Sequence, residues 1–153
     1  KLGRIQRVTR IDFYHQVQDK HELVRRICAK ALLTRARLLL WAADREACQR
    51  ISRLLWTQPA TGFVPHVAAH DKLAAVTPII LDCDASTIPH DDVLVNLRAE
   101  VPPFFSRFQR LIEIVAANDE ADAEVARARF RYYRDRGYEL RNHDMSRNGG
   151  TAV

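Results

Sequence analysis

Apolar and polar residues along this chain switch between two periods. Ile11–Val17 (IDFYHQV) alternates and reads as a first strand. Asp19–Thr34 follows with a period near that of a helix. Leu23, Val24, Ile27 and Ala31 make its apolar face, and Arg25, Arg26 and Lys30 make its wet one. Arg37–Ala42 (RLLLWA) is a short apolar run of the kind buried in the middle of a sheet. Asp44 then caps a helix running to about Trp56, with Ala47, Ile51, Leu54 and Leu55 inward. Strand, helix, strand, helix in this order predicts a parallel α/β sheet.

The middle of the chain is less periodic. Thr57–Val76 carries Pro59, Gly62 and Pro65 and reads mainly as loop. Pro78–Cys83 (PIILDC) predicts a third strand, Asp84–His90 a turn, and Asp92–Leu97 (DVLVNL) a fourth strand. Pro102 and Pro103 open a short helix, FFSRFQ, and Leu111–Val115 (LIEIV) is a final strand. After Leu140 the sequence turns polar and glycine-bearing, which predicts a frayed end. One domain over residues 11–143 is expected, with a basic tail at 1–10 and a flexible tail at 144–153.

The strongest helix signal lies in Asn118–Leu140. Asn118 or Asp119 can cap its start, acids fill the first turn, arginines fill the last, and Gly137 supplies a left-handed stop. At about 100° per residue, Ala121, Val125, Ala128 and Tyr132 share one side, which predicts the core seam. Roughly opposite stand Ala123, Arg127, Phe130 and Arg134, with Arg131 at the edge. A phenyl ring among guanidinium groups on an outward face has two readings. One is dipole complementarity beside a partly covered aromatic. The other is a pocket for an acidic peptide with an apolar anchor, because a guanidinium forks onto a carboxylate and the ring supplies apolar contact.

Composition narrows the class without deciding it. The chain has 153 residues, 47% of them hydrophobic and 28% charged, which is ordinary for a globular domain. No apolar run nears the roughly 20 residues that span a bilayer. The basic start lacks the apolar core of a signal peptide. The formal net charge of +5 admits nucleic acid, an anionic surface or an acidic protein partner. Cys28, Cys48 and Cys83 are odd in number and never stand as C-x-x-C, so reduced thiols and a cytoplasmic location are expected.

Catalytic and cofactor motifs are scarce. Neither G-x-G-x-x-G, a Walker loop nor a G-x-S-x-G elbow occurs, so no nucleotide cofactor is expected. His66 and His70 stand at i, i+4, but Pro65 argues for a loop, and no third ligand is signalled. No metal is expected. In IILDCDAST, Asp82-x-Asp84 ending an apolar strand resembles the nucleophile motif of haloacid-dehalogenase-type phosphatases. That reading needs a later lysine, and none follows Lys72. The alternative is two aspartates closing a strand at a solvated turn. Basic residues are spread and interleaved with acids, and no helix-turn-helix, zinc-finger or RNA-recognition pattern occurs. Trp56 and Phe63 could stack on bases, but packing in the core or against a protein suits them better.

Three stretches together resemble the chi subunit of bacterial DNA polymerase III: LLWTQPATGFVPH at Leu54–His66, RFQRLIEIV at Arg107–Val115 and ARARFRYYRDRGYEL at Ala126–Leu140. The likeness covers about Ile11 to His143. It implies a three-layer α/β/α sandwich with a mostly parallel (mixed) central sheet, Rossmann-like without a nucleotide site. It also implies a non-catalytic accessory subunit that pairs with the psi subunit of the clamp loader. Such a subunit holds the acidic, Phe-ending tail of single-stranded-DNA-binding protein, and a repair helicase is a further partner for some members. On that resemblance Arg127 meets the tail's terminal carboxylate and Phe130 walls the pocket for its terminal ring. Arg131 and Arg134 attract its acids. A family lysine one turn earlier falls on Ala123, so attraction should weaken or shift to Arg127 and Arg131. Trp56, Pro59, Phe63, Pro65 and His66 carry the motif expected at the psi surface. Packing of that loop onto the sheet is the alternative.

Overall fold

The computed structural model describes residues 8–57, 66–68, 77–84 and 88–146, without the side chains of 56 and 57. Its elements follow the chain as β1 (Arg10–Val17), α1 (Lys20–Thr34), β2 (Leu38–Trp41), α2 (Arg45–Thr57), β3 (Ile79–Asp82) and β4 (Val93–Asn96). A single 3-10 turn at Phe105–Arg107 precedes β5 (Arg110–Ala116), α3 (Glu120–Asp135) and β6 (Glu139–Asp144). The strands form one sheet in the order β3-β2-β4-β5-β1-β6. Every pairing between these strands is parallel. None of the described helices is long and apolar enough to cross a membrane.

Local chemistry sets the boundaries. Asp19 caps α1 by accepting from the Glu22 N–H at 3.1 Å, and Asp119 caps α3 by accepting from the Asp122 N–H at 3.0 Å. Asp44 accepts from the Ala47 N–H at 2.7 Å and opens α2. Arg35 closes α1 in the left-handed region at φ 59°.

Two apolar layers flank the sheet. On one face, Leu23, Val24, Ile27, Ile51 and Leu55 from α1 and α2 pack on Leu38, Leu40, Val95, Ile112 and Ile114. On the other, Ala126 and Tyr133 of α3 pack with Phe105 and Phe108 on Ile11, Phe13, Leu94 and Leu111. Each such aliphatic or aromatic side chain, fully buried, contributes about 1.5–3 kcal/mol. The result is the expected α/β/α sandwich. The free thiols follow: Cys28 is buried, and its thiol is pushed up to about 12 by that burial.

Three expectations are corrected. First, α3 is rotated on its axis. Ala126, Arg129 and Tyr133 are buried, whereas the expected seam of Ala121, Val125, Ala128 and Tyr132 lies exposed. The reason is a polar anchor. Arg129 Nε donates to Glu113 Oε1 at 2.9 Å, its Nη1 donates to the Ala99 carbonyl at 2.9 Å, and Tyr133 donates to Glu113 Oε2 at 2.6 Å. Asn96 Nδ2 adds bonds to both carboxylate oxygens at 3.2 and 3.1 Å. A satisfied buried network outbids a stripe of small apolar residues for the inward position. Burial pushes the Glu113 carboxyl up, opposed by the Arg129 charge and these hydrogen bonds.

Second, the part of the stretch after Leu140 that the structure describes, to residue 146, is not frayed: Arg141–Asp144 complete a strand, and residues 147–153 lie outside the described residues. β6 pairs with β1 from Arg10↔Glu139 to His15↔Asp144, and the next residue, Met145, is buried. His143 holds it to β1 from the side, with Nε2 at 2.8 Å from Asp12 Oδ1 and its ring stacked on Tyr14. Burial raises the Asp12 carboxyl, but hydrogen bonds from His143 and Arg110 outweigh it and hold the group below the ordinary aspartate value. Third, Arg25 leaves the wet face of α1: it is buried and paired with Glu22.

Candidate functional site: a cleft where the sheet changes direction

The sheet order creates the site. From β1 the chain crosses through α1 toward β2, and from β5 it crosses through α3 to β6 on the other side. Right-handed crossovers in opposite directions place α1 and α3 on opposite faces. The core clusters agree with this. β1 and β5 are neighbours, so their carboxyl ends are parted by helices leaving to opposite faces. In open α/β sheets that is where ligands dock.

A cleft of about 560 Å³ lies at this position, within the range of pockets that hold small ligands and chain ends. Phe13, Val115, Ala123, Ala126 and Phe130 give it an apolar wall, and His15, Gln16, Asn118 and Asn142 give it a polar one. Arg127, Asp119 and Glu120 stand at the charged lip. Gln16, Asn118, Glu120, Arg127 and Asn142 are exposed, so the cleft opens to solvent.

Arg127 and Phe130 line the same cleft, as neighbours one turn apart on α3. Phe130 is half-buried, with its ring edge-on to Phe13 at 5.3 Å between centroids. It forms a fixed wall. Arg127 is 51% exposed at its side chain. Its Nη2 donates to Glu120 Oε2 at 2.8 Å and to Glu124 Oε1 at 2.5 Å. The hydrogen bond from Arg127 holds the Glu124 carboxyl below the usual range. The remaining expected residues stand apart: Arg131 and Arg134 are exposed outside the cleft wall, and Arg134 pairs with Asp135 at 3.3 Å. Ala123, at the position of the family lysine, contributes to the apolar wall.

Sequence reasoning missed His15, Gln16, Asn118 and Asn142. In the sequence Ile11, Phe13 and Val17 keep the alternation of an unbroken strand, so the phase change that brings Gln16 to the cleft carries no signal there. Ile11 and Phe13 face α3, and Val17, in step with them by count, is nevertheless packed with the α1 layer. An extra residue had to intervene.

The other expected sites fare differently. Trp56 (its side chain), Pro59, Phe63 and Pro65 lie outside the described residues, as does His70. His66 is described and half-buried, with Nε2 at 2.8 Å from Ser52 Oγ on α2. The next residue, Val67, bridges to Ile80, so this segment runs along the outer edge of β3. Asp82 ends β3, nearly buried, and its Oδ1 accepts from the backbone N–H groups of Cys83 at 2.7 Å and Asp84 at 2.9 Å. Those bonds fasten a turn, as the alternative to the phosphatase reading expects. Among the described residues no three His, Cys, Asp or Glu side chains group to hold a metal ion.

Comparison with known proteins decides the family. The family model described as "DNA polymerase III chi subunit, HolC" matches residues 8–141. The chain belongs to the DNA polymerase III chi subunit family. A curated relative, "DNA polymerase III subunit chi" of Pseudomonas aeruginosa, is 31% identical over 144 residues, covering 92% of this chain and 99% of the relative. Proteins of the same name from Escherichia coli (28% identical, 78% of this chain, 81% of the relative) and Haemophilus influenzae (26%, 71% and 76%) are also similar. The family match spans every described element from β1 through α3 and includes both walls of the cleft except Asn142.

Proposed function

We propose that this chain is a non-catalytic accessory subunit of the polymerase III complex in the cytoplasm, and that its cleft holds the acidic, Phe-ending tail of single-stranded-DNA-binding protein. One observation carries the reading: Arg127 and Phe130 line one open cleft at the parting of β1 and β5. An apolar wall suits a terminal phenyl ring, and a guanidinium at the lip suits a terminal carboxylate. In the same proposal the psi subunit of the clamp loader docks near His66 and the loop before it, and a repair helicase is a further partner. Arg131 and Arg134, outside the wall, act on the tail's acids at longer range, which makes binding weaken with salt.

Anisotropy titration of a labelled acidic peptide ending in Phe tests this. The native chain should bind, and Arg127→Ala should bind about tenfold more weakly or worse. The melting temperature should hardly move, because the acids that Arg127 pairs with, Glu120 and Glu124, are exposed. Equal affinity for the two proteins refutes the site.

A further inference from the structure

β1 carries one residue too many for its pairing with β5. Tyr14 stands opposite Ile114, and Val17 opposite Ala116, so His15 and Gln16 together face a single position. This is a β-bulge. Its packing purpose is plain: it returns Val17 to the α1 layer. That purpose needs an extra residue of any kind. Gln16 nevertheless sits at φ 59°, in the left-handed region that glycine enters freely and a residue with a Cβ enters only against steric resistance. Backbone strain of this kind gathers at ligand sites.

The side chain offers its own fold nothing to offset that. Gln16 is exposed, and its amide makes no hydrogen bond among the described residues. It lines the cleft, beside His15 and Asn142. A second left-handed residue, Asn118 at φ 57°, stands on the same cleft. Among the described residues the remaining non-glycine of this kind, Arg35, ends a helix, where the conformation is routine.

We infer that Gln16 is a recognition residue that hydrogen-bonds the main chain of the docked peptide just before its terminal residue. The inference rests on the peptide reading of the cleft given above. A carboxamide supplies both a donor and an acceptor, the complement of a peptide C=O and N–H. Arg127 cannot supply the acceptor. The two residues thus divide the work: Arg127 takes the chain end, and Gln16 takes the backbone leading to it.

Native chain, Gln16→Gly and Gln16→Asn are titrated with the same acidic Phe-ending peptide and melted without it. Gln16→Gly should melt about 2 °C higher, since glycine relieves the left-handed position. It should bind about fivefold more weakly, as expected for one lost hydrogen bond. Gln16→Asn, which keeps an amide and tolerates φ near 60°, should recover part of that loss. A glycine variant that binds as tightly as the native chain overturns the inference while leaving the peptide site standing. So does one that melts lower than the native chain, because the side chain would then serve the fold. If the native chain itself fails to bind, the peptide reading falls and this inference falls with it.

Discussion

Arg127 and Arg129 stand two residues apart on one helix and do opposite work. Arg129 is 4% exposed. It spends its donors on Glu113 and the Ala99 carbonyl, inside a carboxylate site that Tyr133 and Asn96 complete. Arg127 is half-exposed and among the described residues is met only by Glu120 and Glu124, both well solvated. The difference is one of alternatives. Removing the partner of a buried guanidinium strands a charge in a poor solvent, whereas water replaces the partner of an exposed one. The first arginine therefore orients the helix, and the second remains available to a ligand.

The largest effect should come from the buried side. Arg129→Ala leaves Glu113 in the core without its counter-charge, and equilibrium denaturation should show a loss of about 3–5 kcal/mol. A loss no larger than that of a surface substitution would remove the contrast between the two arginines. A smaller effect tests the exposed side. In the structure Glu124 occupies Arg127 much as a ligand carboxylate would. Glu124→Gln should therefore tighten binding of an acidic Phe-ending peptide about two- to threefold, as expected for an exposed pair. Glu139→Gln makes the same charge change at the partner of Arg141, an arginine with no part in the proposed site, and serves as the control. Equal tightening in both would mean that net charge alone is responsible. The smallest effect concerns the flank that was expected to be core. Val125→Gln should change stability by less than about 0.5 kcal/mol in the same denaturation experiment, because Val125 is 39% exposed.

Much of the sheet was legible because burial writes a period into the chain. LLLW in β2 and IILD in β3 are buried at every position, and both were expected as strands. The caps of α2 and α3 were legible because an aspartate stands before each, whereas Asp19 was expected inside α1 and proves to be its cap. The inward face of α3 was not, because a helical wheel weighs apolarity and the decisive contact was ionic. A hint was present: Glu113 is the lone acid amid the apolar run Leu111–Val115 and required a partner from whatever packs above it. β6 escaped notice for a related reason. ELRNHD is exposed or half-exposed throughout and shows no alternation, so only its pairing with β1 reveals it as a strand. In the cleft, the Arg127 and Phe130 pair was visible because both lie on one helix. Gln16 and Asn142 were not, because they meet through the sheet, from opposite ends of the chain.

β6 has a single neighbour, and that neighbour is the bulged strand. Asn142, the one β6 residue among those lining the groove, is therefore carried by a strand that can be unzipped without disturbing any other pairing in the sheet. Shortening the chain to Leu140 would remove Asn142, the His143 tie to Asp12 and the Met145 plug together. β6 thus serves the fold and the socket at once: the strand that covers the flank of β1 also sets one polar edge of the opening that a visiting chain end has to fit.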